Sequence, residues 1–217
     1  MAVPVIALLG AESTGKSTLA TALGDALAAE GRRAAVVAEY LREFCDRQGR
    51  TPRIEEQAGI AAEQTRRIEA AAAEDGIDIV IADTSALMIA VYSDQVFGDR
   101  SLYPQAQATQ RRYRLTLLTA LDLPWQPDGL QRDGPQVRGP VDARVRAALA
   151  AADLPYTVIG GTGPARLANA LQAVRHVLGT PTEAHREAAN PARRRGWQVL
   201  CERCGDPDCE RRLFAHD

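Results

Sequence analysis

Residues Gly10-Ala11-Glu12-Ser13-Thr14-Gly15-Lys16-Ser17 complete the pattern G-x-x-x-x-G-K-[ST], and no other feature of the chain so narrows its fold. Such a loop cradles phosphate with backbone N–H groups at a helix N-terminus, so it needs a strand to deliver it and a helix to leave it. Both flanks comply. Residues 3–9 are an apolar run of strand type, and residues 17–29 carry Leu19, Leu23 and Leu27 at helical spacing. The loop also holds the only lysine among 217 residues, against twenty-five arginines. Arginine replaces lysine readily on a solvated face. It does not replace a compact ammonium that must reach phosphate inside a tight backbone cradle, so the exception falls where the chemistry requires it.

The chain is long enough for one full α/β domain and a small appendage. A formal net charge of −2 creates no global basic field, so nucleic acid is not an expected partner; Arg193, Arg194 and Arg195 read as a solvated linker. No apolar run reaches bilayer length, and residues 1–9 lead straight into the first strand without the basic region of a signal peptide. A cytoplasmic protein is expected. Three of the four cysteines fall between residues 201 and 209, and such clustering in a reducing compartment points to metal before disulfides.

Along the chain, apolar runs at 33–38, 77–83, 114–121 and 156–159 read as four further strands. Residues 39–44 are expected to open a short helix, and further helices are expected at 54–73, 84–92, 104–112, 141–152 and 164–178, with a polar loop between 92 and 104. Five strands alternating with helices predict a parallel five-stranded sheet with helices on both faces, a P-loop NTPase fold over residues 1–180. From about residue 181 the alternation stops, and residues 181–217 read as a linker and Cys-rich tail.

Gly10, Glu12, Ser13, Thr14, Gly15, Lys16, Ser17 and Thr18 are the expected ATP-binding residues, with the Ser17 hydroxyl on Mg²⁺. Asp83 ends an apolar strand about seventy residues later, where a P-loop protein keeps its second magnesium carboxylate. A strand-terminal Asp also caps helices, but Thr84 and Ser85 are available for that. Glu39 ends the second strand, on the side where α/β sheets bind ligands. There it could take a proton from an acceptor hydroxyl or clamp a ribose diol, with Arg42 one turn on facing an anion; the plain alternative is a solvated Glu at a helix start. Residues 122–140, rich in Pro, Gly, Asp and Arg, read as a mobile loop, and residues 125–138 within it as a lid whose Arg132 and Arg138 would neutralise a transferring phosphoryl group.

Gly10 to Leu19, Glu39-Tyr40-Leu41-Arg42-Glu43-Phe44, Ala82-Asp83-Thr84 and Trp125-Gln126-Pro127-Asp128-Gly129-Leu130-Gln131-Arg132 together resemble the ribosylnicotinamide kinase domain of NadR, in order and spacing, over residues 3–178. The resemblance implies a P-loop kinase that phosphorylates the ribose 5′-hydroxyl of nicotinamide riboside, giving nicotinamide mononucleotide. It assigns Lys16 and Ser17 to the triphosphate and Mg²⁺, Asp83 to Mg²⁺ or base chemistry, Glu39 and Tyr40 to the acceptor, and Trp125 and Asp128 to the nicotinamide riboside. An aromatic ring on a cationic pyridinium suits that last role, as does a structural Trp packed under the lid. The resemblance does not extend to the adenylyltransferase or DNA-binding regions of full-length NadR, so it implies neither NAD synthesis nor repression.

The tail has no counterpart there. Cys201, Cys204, Cys209 and His216 supply three thiolates and an imidazole, a donor set for tetrahedral Zn²⁺. A redox pair, a metal shared between subunits and plain surface thiols are the other readings. The tail is also a candidate for protein contact or self-association. Two further functions stay open: a kinase for another nucleoside or small alcohol, and a regulatory ATP-binding module in which nucleotide switches a zinc-binding tail.

Overall fold

The computed structural model describes residues 2–126 and 134–178. Within the compact unit Met1–Val177, strands β1 (Val5–Leu9), β2 (Ala34–Val37), β3 (Ile79–Asp83), β4 (Leu115–Thr119) and β5 (Thr157–Ile159) form one sheet in the order β2-β3-β1-β4-β5. Every pairing is parallel. β1 and β3 are buried along their whole length, which is why they read as unbroken apolar runs rather than alternating ones.

Helices cover both faces. α1 (Lys16–Ala29) places Gly24 against Val36, whose register partner is Ile81, so this helix covers the face that carries those two residues. The opposite face presents Val5, Val37, Val80 and Ala82, and Ile68 of α3 (Ile54–Ala73) closes over them. Beyond that contact, α2 (Tyr40–Gln48), α3, α4 (Ala86–Phe97), α5 (Tyr103–Gln110) and α6 (Arg138–Ala151) share a core with Leu9 and Leu118. α7 (Gly163–Leu178) follows β5.

Two boundaries depart from expectation. α4 continues through Ser93-Asp94-Gln95, which read as loop, and stops where Gly98 takes a left-handed conformation at φ 70°. The expected lid loop is shorter than residues 122–140: a 3₁₀ turn spans Pro135–Val137 and α6 begins at Arg138. Gly139 and Pro140 suggested a loop, but a helix tolerates proline in its first turn, where the backbone N–H has no intrahelical partner. Arg138 is therefore not a loop arginine. It opens α6 with its side chain buried, and its Nε and Nη2 make no hydrogen bond.

Parallel pairing brings all C-terminal strand ends to one edge. Leu8 pairs with Asp83 and Val37 with Ala82, so the P-loop after β1, the carboxylate ending β3 and Glu39 after β2 stand side by side.

Candidate nucleotide and acceptor site

The loop's shape follows from two glycines and a threonine ladder. Gly10 has φ 148°, and a Cβ there would lie 2.0 Å from Oγ1 of Thr119 on β4. That hydroxyl sits 3.1 Å from the Leu9 carbonyl and 2.7 Å from Thr14 Oγ1, while the Thr14 hydroxyl donates to Ala11 O at 2.7 Å. Gly15, at φ 75°, turns the chain into α1, and no side chain caps the helix there. First-turn N–H groups left without a side-chain cap are the donors an anion takes. Lys16 Nζ donates to Ala11 O at 3.0 Å, folding the ammonium over its own loop.

Asp83 is 4% exposed, and its Oδ1 has no hydrogen-bond partner. Thr84 follows with φ 83°, rare for a β-branched residue; its N–H donates to Leu8 O at 3.1 Å and its buried hydroxyl is unpartnered. Ser85 alone caps α4, accepting from Leu87 N–H at 3.2 Å and donating to Gln110 Oε1 at 2.7 Å. Helix capping thus explains Ser85 but neither Asp83 nor Thr84. Glu39 holds the N-cap position of α2 without a side-chain cap bond.

A cavity of about 610 Å³ joins these parts. Residues 12–18, Glu39, Arg42 and Asp83, each a candidate from the sequence, line it together. Sequence reasoning missed much of the wall: Leu41, Met88, Tyr92 and Phe97 are among its apolar residues, and Cys45, Gln57 and Thr84 also line it. Burial, with help from Asp46 and Glu39, pushes the Cys45 thiol above its ordinary value, so at neutral pH it stays protonated and packs as a small apolar group. Gln57 is 4% exposed, and its Oε1 makes no hydrogen bond. The only advance signal for α4's share was the apolar run at 86–91, which reads as core as readily as wall.

Several expected residues stand elsewhere. Tyr40 is absent from the lining and is held between arginines, with the Arg67 guanidinium 4.4 Å from its ring centroid and Arg47 donating to its hydroxyl at 3.0 Å. Trp125 and Arg138 do not line the cavity. Gly10 shapes the loop from behind. Asp128, Arg132 and the candidate zinc set Cys201, Cys204, Cys209 and His216 lie outside the described residues. One tie reaches toward the expected lid: Ser13 Oγ donates to Gln126 O at 2.9 Å and accepts from Gln126 N–H at 2.8 Å.

Chemically, the orphaned Asp83 oxygen, the uncapped helix start and the glycine-shaped loop fit a magnesium–triphosphate. Among the described residues no group of three or more His, Cys, Asp or Glu forms a metal site. Magnesium needs none, because it takes one or two protein ligands and completes its shell with phosphate and water. No helix among the described residues is long and apolar enough to cross a membrane.

No curated protein matches the chain. Among solved structures, NadR in complex with NR superposes with a TM-score of 0.66 at 21% identity, over 82% of this chain and 51% of that one. NadR in complex with NAD and AMP-PNP gives 0.64 at 21%, over 82% and 50%. Thymidylate kinase from Ehrlichia chaffeensis gives 0.55 at 15%, over 82% and 100%. The chain spans about half the length of the NadR structures, and at these identities the likeness is one of fold. A P-loop in a parallel five-stranded sheet agrees with the family profile that matches residues 5–166, and the chain belongs to that family of AAA domains.

Proposed function

We propose that this protein is an ATP-dependent small-molecule kinase that phosphorylates the ribose 5′-hydroxyl of nicotinamide riboside. The observation that carries the reading is the single cavity in which the P-loop, Asp83, Glu39 and Arg42 meet. A nucleotide switch needs the first two. A kinase also needs an acceptor chamber in line with the phosphate cradle, and the walls from α2, α3 and α4 supply one.

When bound, magnesium and the triphosphate supply the phosphoryl group and neutralise its charge. The residues of this chain do the rest. Loop N–H groups and Lys16 hold the phosphates, and Ser17 and Asp83 hold the metal. Glu39 accepts a hydrogen bond from the acceptor hydroxyl and takes its proton as transfer proceeds. Glu12, Glu39 and Asp83 outnumber Lys16 and Arg42 along the lining, and Tyr92 and Phe97 add aromatic faces. Such a wall favours a cationic ring over an anionic acceptor, in keeping with a pyridinium nucleoside. Trp125, Asp128 and Arg132 enter the proposal only as residues of the expected lid, and Tyr40 as a support of α2; Arg138, buried at the start of α6, does not.

The test is ATP consumption with Mg²⁺, with and without nicotinamide riboside, following nicotinamide mononucleotide by chromatography. Product that disappears with Lys16→Ala supports the kinase. ATP bound but hydrolysed slowly, with no product, overturns the nicotinamide riboside assignment.

A further inference from the structure

Arg166, near the start of α7, is 4% exposed and lies 152 residues from the P-loop that it touches. Its Nη2 donates to the Thr14 carbonyl at 2.8 Å and to Ala120 O at 3.4 Å; its Nη1 donates to Asp122 Oδ1 at 2.7 Å and to Gly161 O at 2.8 Å. The other Asp122 oxygen accepts from Gly161 N–H at 2.6 Å, so the carboxylate that neutralises the guanidinium is itself fixed by the loop after β5. Arg166 lowers the Asp122 carboxyl below its ordinary value against the opposing effect of burial, with Gly161 N–H helping.

A staple joining β4, β5 and α7 would need only Ala120, Gly161 and Asp122. The bond to Thr14 is different in kind. In a trans peptide the carbonyl and the following N–H point in opposite directions across one plane. Drawing the Thr14 oxygen toward α7 therefore turns the Gly15 N–H away from Arg166. Gly15 lines the cavity, and its φ of 75° leaves this peptide in a conformation that helix and strand do not enforce. A cation on the carbonyl also polarises the peptide and makes its N–H a stronger donor.

We propose that Arg166 is a positioning residue: it sets the Thr14–Gly15 peptide so that the Gly15 N–H faces a phosphate group in the cavity, with Asp122 orienting the guanidinium. The inference rests on the nucleotide-site reading and sharpens it, because it assigns a P-loop donor's orientation to a residue outside the motif.

The experiment titrates MgATP and inorganic tripolyphosphate into the full chain, wild type and Arg166→Gln, by calorimetry below the melting temperature of each, with circular dichroism confirming that the variant is folded. The expected result is a loss of tenfold or more in affinity for both ligands. Asp122→Asn should lose less, about two- to fivefold, because the guanidinium still reaches Thr14 O. A lower melting temperature with unchanged affinity makes Arg166 a fold staple and overturns the proposal. So does a loss for ATP with tripolyphosphate unaffected, which would put its influence on the base rather than the phosphates. If Arg166→Gln does not fold, Arg166→Lys is judged by the same affinities, since one ammonium cannot bridge four acceptors in a plane. Failure of the wild type to bind either anion overturns the nucleotide reading and the clamp with it, whereas binding by the wild type and by Arg166→Gln alike overturns the clamp alone.

Discussion

At the scale of single residues, the β3–α4 junction separates what the fold needs from what it tolerates. Thr84 holds a strained backbone and a buried hydroxyl without a partner, and each carries a cost in stability. Replacing such a hydroxyl by a methyl of the same shape removes its desolvation cost and leaves the backbone as it was. Thr84→Val is therefore expected to raise stability by about 1 kcal/mol in urea denaturation. If the hydroxyl serves the ligand, the same variant loses transfer rate while Thr84→Ser keeps it. A destabilised Thr84→Val would sink this account. Glu39 makes the complementary case: if its proposed role is to take a proton rather than to hold phosphate, it should be dispensable for nucleotide binding. Glu39→Ala is expected to cut phosphoryl transfer by about 10²–10⁴-fold, the usual share of a general base, with ATP affinity unchanged in a fluorescence titration. Equal loss of both would place Glu39 in the nucleotide half.

At the scale of elements, the proposed acceptor wall depends on how α2 and α3 are tied. Arg50 donates to both oxygens of Glu56 at 2.7 Å, and Glu56 also accepts from Arg53 N–H at 2.7 Å, fixing the start of α3. Farther along, Glu63 is paired with Arg66 and Arg67, and Arg67 returns to Glu43 on α2. Arg50, then the Arg53 N–H, holds Glu56 down to about 2, and Arg66 and Arg67 do the same for Glu63. A carboxylate whose folded value is depressed stabilises the fold above its unfolded value of about 4.5, and that contribution fades as pH falls through the folded value. The urea midpoint should therefore fall between roughly pH 4.5 and 2. Glu56→Gln should flatten part of that slope, and an unchanged slope would mean that the tie does not survive in solution. This network was invisible in the sequence. Charges at i,i+3 and i,i+4 on one helix can be read, but the Glu43–Arg67 pair crosses between helices whose packing only the fold sets.

At the scale of the whole molecule, the strands, their parallel pairing and the lining of the phosphate side were legible, because strands buried on both faces leave unbroken apolar runs and the P-loop pattern fixes what flanks it. The apolar part of the proposed acceptor wall and Arg166 were not. Met88 and Tyr92 look like core, and an arginine on an amphipathic helix looks like solvent-facing charge until the fold carries it to a loop 152 residues away. The same assembly ties nucleotide binding to global stability, since the P-loop is bonded to β4 through Thr119 and to α7 through Arg166. A ligand that binds only the folded chain stabilises it by about 2.7 kcal/mol at a hundredfold excess over Kd. For a chain of this size each kcal/mol moves Tm by about 2–4 °C, so saturating MgATP should raise Tm by roughly 5–10 °C. Lys16→Ala removes the ammonium without touching the core, so its ligand-free Tm should stay within about 2 °C of wild type while the MgATP shift collapses. A shift that persists in Lys16→Ala would place the nucleotide away from the P-loop, and the reading of the cavity would have to be abandoned.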